Sequence, residues 1–245
     1  MIEDKIKSLV DKLKIKKNEV IMLHGDAAVI GQLDIKNINY NLEIFFDQII
    51  NKVGKKGAIL IPTFTYSFIK KKKFNLEKSK SEVGYLSEVF RNRKDTYRYC
   101  HPVFSFSIYG KKIYNKENYK NCFGKKSIFD DFHKNNGRII VLGNAFEKAA
   151  TFAHYIEEQN NVKYRYFKKF KGKIIKKNKE FDVDVSYYVR SLKEDTIIKK
   201  KKKIYSALSK VKFKRFLIYS IQAKIFFNLC KKEIKINDKF LITHD

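Results

Sequence analysis

The sequence predicts an α/β fold in a single domain, residues 1–245, with a central, mostly parallel sheet, an added antiparallel β region and a C-terminal helix. Apolar runs typical of buried strands alternate with amphipathic helical runs up to residue 143, as they do in parallel sheets. Residues 162–189 then alternate in short β stretches. Only two prolines and ten glycines occur in 245 residues, so no linker between domains is expected.

The elements are predicted in chain order from their apolar patterns. Strands are expected where apolar or alternating runs end in polar residues, at 19–26, 57–66, 101–110 and 138–143. Helices are expected where apolar residues recur at helical spacing, at 38–53, 82–93 and 125–137.

A helix over 210–232 is expected near the C-terminus. Its apolar residues follow at four-residue steps: Phe213, Leu217, Ile221 and Ile225. Its polar face is basic, which is typical of a packed terminal helix with solvated lysines. A helix that lies on an acidic membrane surface is the alternative.

The formal net charge of +28 favours anionic partners. Lysine is scattered over the whole chain together with abundant Ile, Asn, Tyr and Phe, which indicates a genome biased toward lysine codons. Binding to nucleic acid or to an acidic membrane is the alternative, based on the lysine runs at 70–73 and 199–203. Arginine, which is favoured for reading bases, is scarce, so no nucleic-acid partner is expected.

The three cysteines, Cys100, Cys122 and Cys230, are widely spaced and form no metal-binding pattern. Neither a disulfide framework nor a zinc site is therefore expected. The charged N-terminus lacks the apolar core of a signal peptide, and no apolar run approaches membrane-spanning length. These observations predict a cytoplasmic protein.

The segment TFAHYIEEQ, which begins at Thr151, places one histidine close to two glutamates. If Thr151 caps a helix, His154 is its third residue, where the positive end of the helix dipole disfavours the imidazolium. A neutral imidazole can act as a general base. Glu157, three residues on, shares the face of His154 and can hold one ring nitrogen. The alternative is an ordinary surface His–Glu pair. No second histidine stands at the spacing of a metal site, so no metal is expected.

A second candidate site is LHGD, where His24, Gly25 and Asp26 end the first strand. In α/β folds, ligands bind beyond the carboxyl ends of parallel strands. A glycine there lets another group approach the backbone, but the glycine patterns of a P-loop and of a dinucleotide-binding turn are absent. Arg98, in a basic segment before His101, is either a phosphate contact or a solvated arginine.

Five stretches resemble the aminoglycoside 3-N-acetyltransferase family, in the family's order. They fall within about residues 15 to 190: VIMLHGDAAVIGQL, GAILIPTFTY, SEVGYLSEVFRNRKDTYRYCHPVFSFSIYG, FGKKSIFDDFHKNNGRIIVLG and TFAHYIEEQNNVKYRYFKKFKG. The resemblance implies the fold of antibiotic N-acetyltransferases and an acetyl-CoA-dependent N-acetyltransferase activity. His154 matches the family's catalytic histidine and Glu157 its carboxylate partner. Thr151 is the candidate for stabilising the developing oxyanion.

The resemblance also implies contacts to acetyl-CoA at His24, Gly25, Asp26 and Arg98. Family members usually carry hydroxyl residues just after the first-strand histidine, where the pantetheine and phosphates are approached. Gly25 and Asp26 stand there in this chain, and the usual Arg-Ser before His-Pro is Arg98-Tyr99. Both departures change the side chains that are available to the cofactor.

The expected partners are CoA and a small-molecule amine, an amino sugar either of aminoglycoside type or from surface-glycan assembly. Aminoglycosides are polycations, which a chain of charge +28 repels unless its cleft is acidic. Glu82 and Glu158 are the candidates for substrate binding, and neutral or anionic amino sugars fit the charge better. The competing hypothesis is a non-enzymatic basic protein that binds nucleic acid or a membrane surface. The sequence does not indicate an oligomeric state.

Overall fold

The computed structural model describes residues 1–114, 116–143, 145–193 and 195–245. The helices are α1 (Ile2–Lys12), α2 (Ala28–Gly31), α3 (Ile38–Val53), α4 (Tyr85–Arg91), α5 (Ile128–Lys134), α6 (Phe146–Ala149), α7 (Phe152–Gln159), α8 (Lys202–Ala207) and α9 (Ala223–Ile236). The strands are β1 (Val20–Gly25), β2 (Ala58–Pro62), β3 (Phe74–Asn75), β4 (Tyr97–Tyr99), β5 (Phe106–Gly110), β6 (Arg138–Leu142), β7 (Arg165–Lys176), β8 (Lys179–Arg190), β9 (Ser209–Phe213) and β10 (Phe216–Gln222).

Two sheets form the framework. The larger has the strand order β4-β5-β2-β1-β6-β10-β9, and the smaller has the order β3-β7-β8. The predicted α/β class, with an added antiparallel region and a C-terminal helix, is confirmed. Within the larger sheet, β1 pairs in parallel with β2 and β6, whereas the flanking pairs are antiparallel. The expected parallel pairing is therefore limited to these three central strands, because reversed strands extend the sheet on both sides.

Helices cover the larger sheet on both faces. Successive residues of β1 point to opposite faces, so Ile21 and Leu23 lie on one side and Met22 on the other. Ile21 and Leu23 join a core cluster with residues of α1 and α3. Met22 belongs to the cluster that contains residues of α5, α7 and α9. Burial on both faces explains why β1 reads as a continuous apolar run.

The predicted helix over 210–232 is wrong in its first half. This segment forms the hairpin β9–β10, and α9 begins only at Ala223. β10 pairs with β6, with Ile218 opposite Leu142, and so covers an edge that would otherwise present unpaired backbone groups. The four residues of the predicted apolar face do not share a buried face. Phe213 and Ile221 belong to core clusters on opposite sides of the sheet, and Leu217 and Ile225 are exposed.

The residues after α7 form the long hairpin β7–β8, as the alternation over 162–189 predicts. Its register pairs Arg165 with Arg190 at one end and Lys176 with Lys179 at the turn. β3 adds to β7 in parallel. Across the described ranges, no helix is both long and apolar enough to cross a membrane.

Candidate active site

The short helix α7 presents His154 at its third position, as predicted. Thr151 precedes the helix, but its side chain makes no capping hydrogen bond, and its carbonyl accepts the amide of His154 at 3.0 Å. Phe152, Tyr155 and Ile156 are buried in the core. The side chain of His154 is 27% exposed, so a ligand can reach its ring from outside the core.

The ring of His154 is bonded to a buried carboxylate. Its Nδ1 lies 2.7 Å from Oε2 of Glu157, whose side chain has no exposed surface. Tyr164 donates its hydroxyl to Oε1 of Glu157 at 2.9 Å. Nε of Arg165, which is also buried, lies 2.8 Å from Oε2. An ordinary surface His–Glu pair is therefore excluded.

The charge on Glu157 fixes the tautomer of the histidine. Burial alone would raise the pKa of Glu157, but the hydrogen bond from His154 and the charge of Arg165 lower it below its ordinary value. An ionised carboxylate can only accept, so Nδ1 of His154 carries a proton. Nη2 of Arg165 lies 3.0 Å from the same Nδ1, a close contact between two donors. Nε2 is then the ring nitrogen that Glu157 does not engage.

His154 lies at the edge of a cleft of about 780 Å³. The described residues that line it, besides His154, are Ile69, Glu147, Lys148, Arg165, Tyr166, Lys168, Phe170, Tyr187, Val189, Arg190, Leu192, Thr196, Ile197 and Ile198. Most are aromatic, aliphatic or basic. A cleft of this size admits a small-molecule substrate. The ring of His154 is therefore within reach of a molecule bound in the cleft.

The strand-end residues predicted to contact the cofactor are more enclosed. His24 is buried, its Nε2 has no hydrogen-bond partner among the described residues, and burial lowers its pKa to about 3. Gly25 adopts a φ of +134°, and a Cβ there would stand 2.4 Å from the carbonyl oxygen of Leu142. Because the neighbouring strand lies so close, this position has room only for glycine. Asp26 is exposed, and its carboxylate accepts the amide of Ala28 at 2.8 Å.

The guanidinium of Arg98 forms hydrogen bonds with other groups of the protein. It donates to three backbone carbonyl oxygens at 2.6–3.1 Å and to the hydroxyls of Thr63 and Ser105. Its guanidinium carbon lies 5.1 Å from the ring centre of Phe74, and burial lowers its pKa to about 10. These bonds tie residues 76–79 to the sheet. Neither a phosphate contact nor a solvated side chain describes this arginine.

The predicted substrate-binding acids, Glu82 and Glu158, are not among the described residues that line the cleft. Glu82 is exposed and accepts the amide of Tyr66 at 2.9 Å. Glu158 is buried against Gly124, where a Cβ would stand 2.6 Å from its Oε1. Its Oε2 has no partner among the described residues, and burial raises the pKa of Glu158 to about 7. The cleft gives their predicted role no support.

Sequence reasoning missed Arg165 and Tyr164, which hold the carboxylate of Glu157. The sequence did contain one signal for Arg165, because arginine is rare in this chain: only seven of the 54 basic residues are arginine. A lysine-biased chain that keeps an arginine indicates a position where the planar fork is needed. Elsewhere in the described part of the chain, no three His, Cys, Asp or Glu side chains gather as metal ligands, and Cys100, Cys122 and Cys230 are free and buried.

Comparison with solved structures shows the fold. The YokD protein from Bacillus subtilis is similar with a TM-score of 0.77 at 16% identity, covering 96% of this chain and 99% of that one. AAC-IIIb, in a binary complex with CoASH, is similar with a TM-score of 0.79 at 13% identity, covering 99% and 98%. AAC-VIa bound to sisomicin is similar with a TM-score of 0.78 at 14% identity, covering 96% and 97%.

Comparison of the sequence shows the family. No curated protein matches the chain significantly. The family model described as aminoglycoside 3-N-acetyltransferase matches residues 22–228, which is most of the chain. The chain therefore belongs to the aminoglycoside 3-N-acetyltransferase family and is an acyltransferase.

Proposed function

We propose that the protein transfers an acetyl group from acetyl-CoA to an amine of an amino sugar, of aminoglycoside type or from a surface glycan. His154 is the general base and Glu157 is its partner. The observation that carries the proposal is the 2.7 Å contact between Nδ1 of His154 and Oε2 of the buried Glu157, at the edge of the cleft. Family membership supports acetyl-CoA as the donor, and so does the CoASH complex of AAC-IIIb.

The two residues divide the proton transfer between them. Acetyl-CoA supplies the activated acetyl thioester when it is bound. Nε2 of His154 takes the proton that the amine nitrogen releases as it bonds to the acetyl carbonyl carbon. Glu157 accepts from Nδ1 and stabilises the imidazolium. The imidazolium then gives the proton to the CoA sulfur as the carbon–sulfur bond breaks, so the ring returns to its starting form.

Tyr164 and Arg165 act by positioning. They hold the two oxygens of Glu157 from separate directions, so the carboxylate cannot rotate away from the histidine. Such outer contacts fix the orientation of a catalytic ring. The ring keeps Nε2 toward the substrate during the reaction.

The residues proposed to act on acetyl-CoA differ in how well their side chains suit its thioester or its phosphates. The hydroxyl of Thr151 makes no capping bond with the helix that follows and could donate to the developing oxyanion, but Thr151 is not among the described residues that line the cleft. At the end of β1, the exposed carboxylate of Asp26 repels a phosphate. Neither the buried ring of His24 nor the engaged Arg98 offers a cation there. Among the residues predicted to contact the donor, Asp26 is therefore the least suited to a phosphate.

Release of CoA thiol with a panel of amines tests the proposed function. The panel contains sisomicin, other aminoglycosides and nucleotide-linked amino sugars. We expect turnover of at least one amino sugar, loss of turnover in His154→Ala and retention in His244→Ala, which changes an exposed histidine near the C-terminus.

The same preparation must also bind the donor, which thermal stabilisation by acetyl-CoA measures. Stabilisation without transfer to any amine contradicts the proposed function. Salt-sensitive binding to nucleic acid or anionic vesicles, without stabilisation by acetyl-CoA, supports the competing basic protein instead.

A further inference from the structure

Among the described residues that line the cleft beside His154, cations outnumber carboxylates. Lys148, Lys168 and Arg190 line it, and none of them forms an ion pair within the described residues. Glu147 is the one acid among the described lining residues, and its Oε2 accepts the hydroxyl of Tyr205 at 2.6 Å. Arg165 also lines the cleft, but Glu157 pairs with its charge. Three cations therefore face one acid.

The hairpin β7–β8 places aromatic rings beside two of these cations, Lys168 and Arg190. Tyr166, Lys168 and Phe170 are two residues apart on β7, so their side chains point to the same side. On β8, Tyr187 is the partner of Lys168. Tyr166 is 51% exposed, and Nζ of Lys168 lies 5.3 Å from the ring centre of Phe170. A planar base can stack on such rings while the cations bind phosphate oxygens.

We propose that this cleft binds an amino sugar joined to a diphosphate, with the diphosphate held by Lys148, Lys168 and Arg190 and the amine presented to Nε2 of His154. This inference rests on the proposed acetyl transfer and narrows its acceptor. A polycationic aminoglycoside would meet three cations that have no ion-pair partner among the described residues, which is unfavourable. Sugars linked to a nucleoside diphosphate and sugars linked to a lipid diphosphate both carry the diphosphate that these cations would bind. The rings of Tyr166, Phe170 and Tyr187 favour the nucleoside diphosphate, because a nucleoside base can stack on them.

Kinetics and calorimetry with matched ligands test this subsite. The ligands are a uridine diphosphate amino sugar, the same amino sugar as its 1-phosphate, the same sugar on a polyprenyl diphosphate in detergent, and the free sugar. Lys168→Glu is expected to raise the KM for the nucleotide-linked sugar about tenfold or more, the size of a lost charge-assisted bond. The KM values for the free sugar and for acetyl-CoA are expected to stay within about twofold.

Lys169→Glu is the matched control. Lys169 is the next residue, is also exposed and points to the opposite face of β7. An equal rise in KM in this control assigns the effect to total charge and overturns the subsite. A rise in the KM for acetyl-CoA alone places the donor in the cleft and also overturns it. Preferred use of the polyprenyl-linked sugar supports the diphosphate subsite and assigns the lipid source.

Calorimetry without acetyl-CoA separates this inference from the proposed function. If the nucleotide-linked sugar binds in a Lys168-dependent way but no acetyl transfer follows, the proposed function fails and the subsite stands. If free amino sugars and aminoglycosides are acetylated and no diphosphate-linked sugar binds, the subsite fails and the proposed function stands.

Discussion

Two histidines that the sequence offered as site residues, His154 and His24, lie in contrasting surroundings. His154, at the start of α7, is partly exposed at a cleft and is bonded at 2.7 Å to a carboxylate. His24, at the end of β1, is buried with no partner for Nε2 among the described residues. Burial lowers the pKa of His24 to about 3, so its ring stays neutral over the physiological range. A general base must both take up a proton and hold it briefly, and of the two rings only His154 is bonded to a carboxylate among the described residues.

The contrast shows that a histidine at the end of a parallel strand is not by itself a site. His24 is enclosed by the core, and the Gly25 beside it is required by the approach of Leu142. His154 instead receives Glu157 from its own helix and the support of Arg165 from the next strand. The two rings therefore differ most in that His154 has a carboxylate partner.

The largest effect is expected from removing the exposed ring. His154→Ala should lower kcat roughly 10²–10⁴-fold, because the amine loses its proton acceptor. The KM for acetyl-CoA should change less than about threefold, since the ring accepts a proton and does not hold the donor. Steady-state rates measured by thiol release provide both numbers. A variant that keeps nearly the full kcat would show that the proton leaves by another path.

The next largest effect is expected from removing the charge that holds the ring. Glu157→Gln should lower kcat about 10–100-fold, the usual cost of losing the group that orients a functional histidine. It should also destabilise the fold by about 3–5 kcal/mol, because Arg165 is left as an unpaired buried charge. Denaturant unfolding and steady-state rates measure the two effects separately.

A double variant distinguishes the catalytic part of Glu157 from its structural part. Glu157→Gln combined with Arg165→Met removes both charges of the buried pair, so much of the stability should return. The rate should remain low, because His154 still lacks its carboxylate. Recovery of the rate together with the stability would show that Glu157 is needed for folding alone.

Most strands and helices of the framework were predictable, because the burial of one or both faces gives each element a characteristic apolar pattern in the sequence. Strand β1 is covered on both faces and reads as an apolar run, whereas α3 is covered on one face and shows helical spacing. The segment 210–232 was not predictable in this way. Its hairpin turns at Lys214, which adopts a φ of 50° without the glycine or asparagine that would signal such a turn.

The site was predictable only where one element supplies both partners. The His154–Glu157 pair follows from the spacing of three within one helix. Arg165 comes from a different element, and its place depends on the hairpin register that sets it opposite Arg190. For Arg98 the prediction and the structure differ. Its basic segment indicated a ligand contact, whereas in the structure its guanidinium donates to backbone carbonyl oxygens. Contacts between elements need the fold itself.

A smaller effect, of opposite sign to that of Glu157, is expected at the neighbouring carboxyl of Glu158. Burial raises its pKa to about 7, so between the ordinary glutamate value of about 4.3 and this value the folded state holds a proton that the unfolded state releases. Stability therefore falls as the pH rises through this window. Glu158→Gln should raise the melting temperature at pH 8 by roughly 2–4 °C for each kcal/mol regained, and little at about pH 4.

Melting curves at several pH values check the sign of this effect. Glu82→Gln, which changes an exposed carboxylate in the same way, is the control for the substitution itself. For Glu157 the pKa is lowered, so its contribution to stability is complete above the ordinary range and is lost as the pH falls through the folded value. If Glu158→Gln destabilised the protein equally at all pH values, the carboxyl would be making a hydrogen bond that the fold requires.

The smallest effect is expected at the buried histidine. His24→Leu replaces a ring whose Nε2 has no partner among the described residues with an apolar side chain, so the free energy of unfolding should change by less than about 1.5 kcal/mol. The kcat and the KM for acetyl-CoA should both stay within about twofold. A rise of about tenfold in the KM for acetyl-CoA, with kcat retained, would instead place this ring against the donor. The end of β1 would then be a binding site as predicted from the sequence, and the difference between the two histidines would be one of role, the one binding the donor and the other moving the proton.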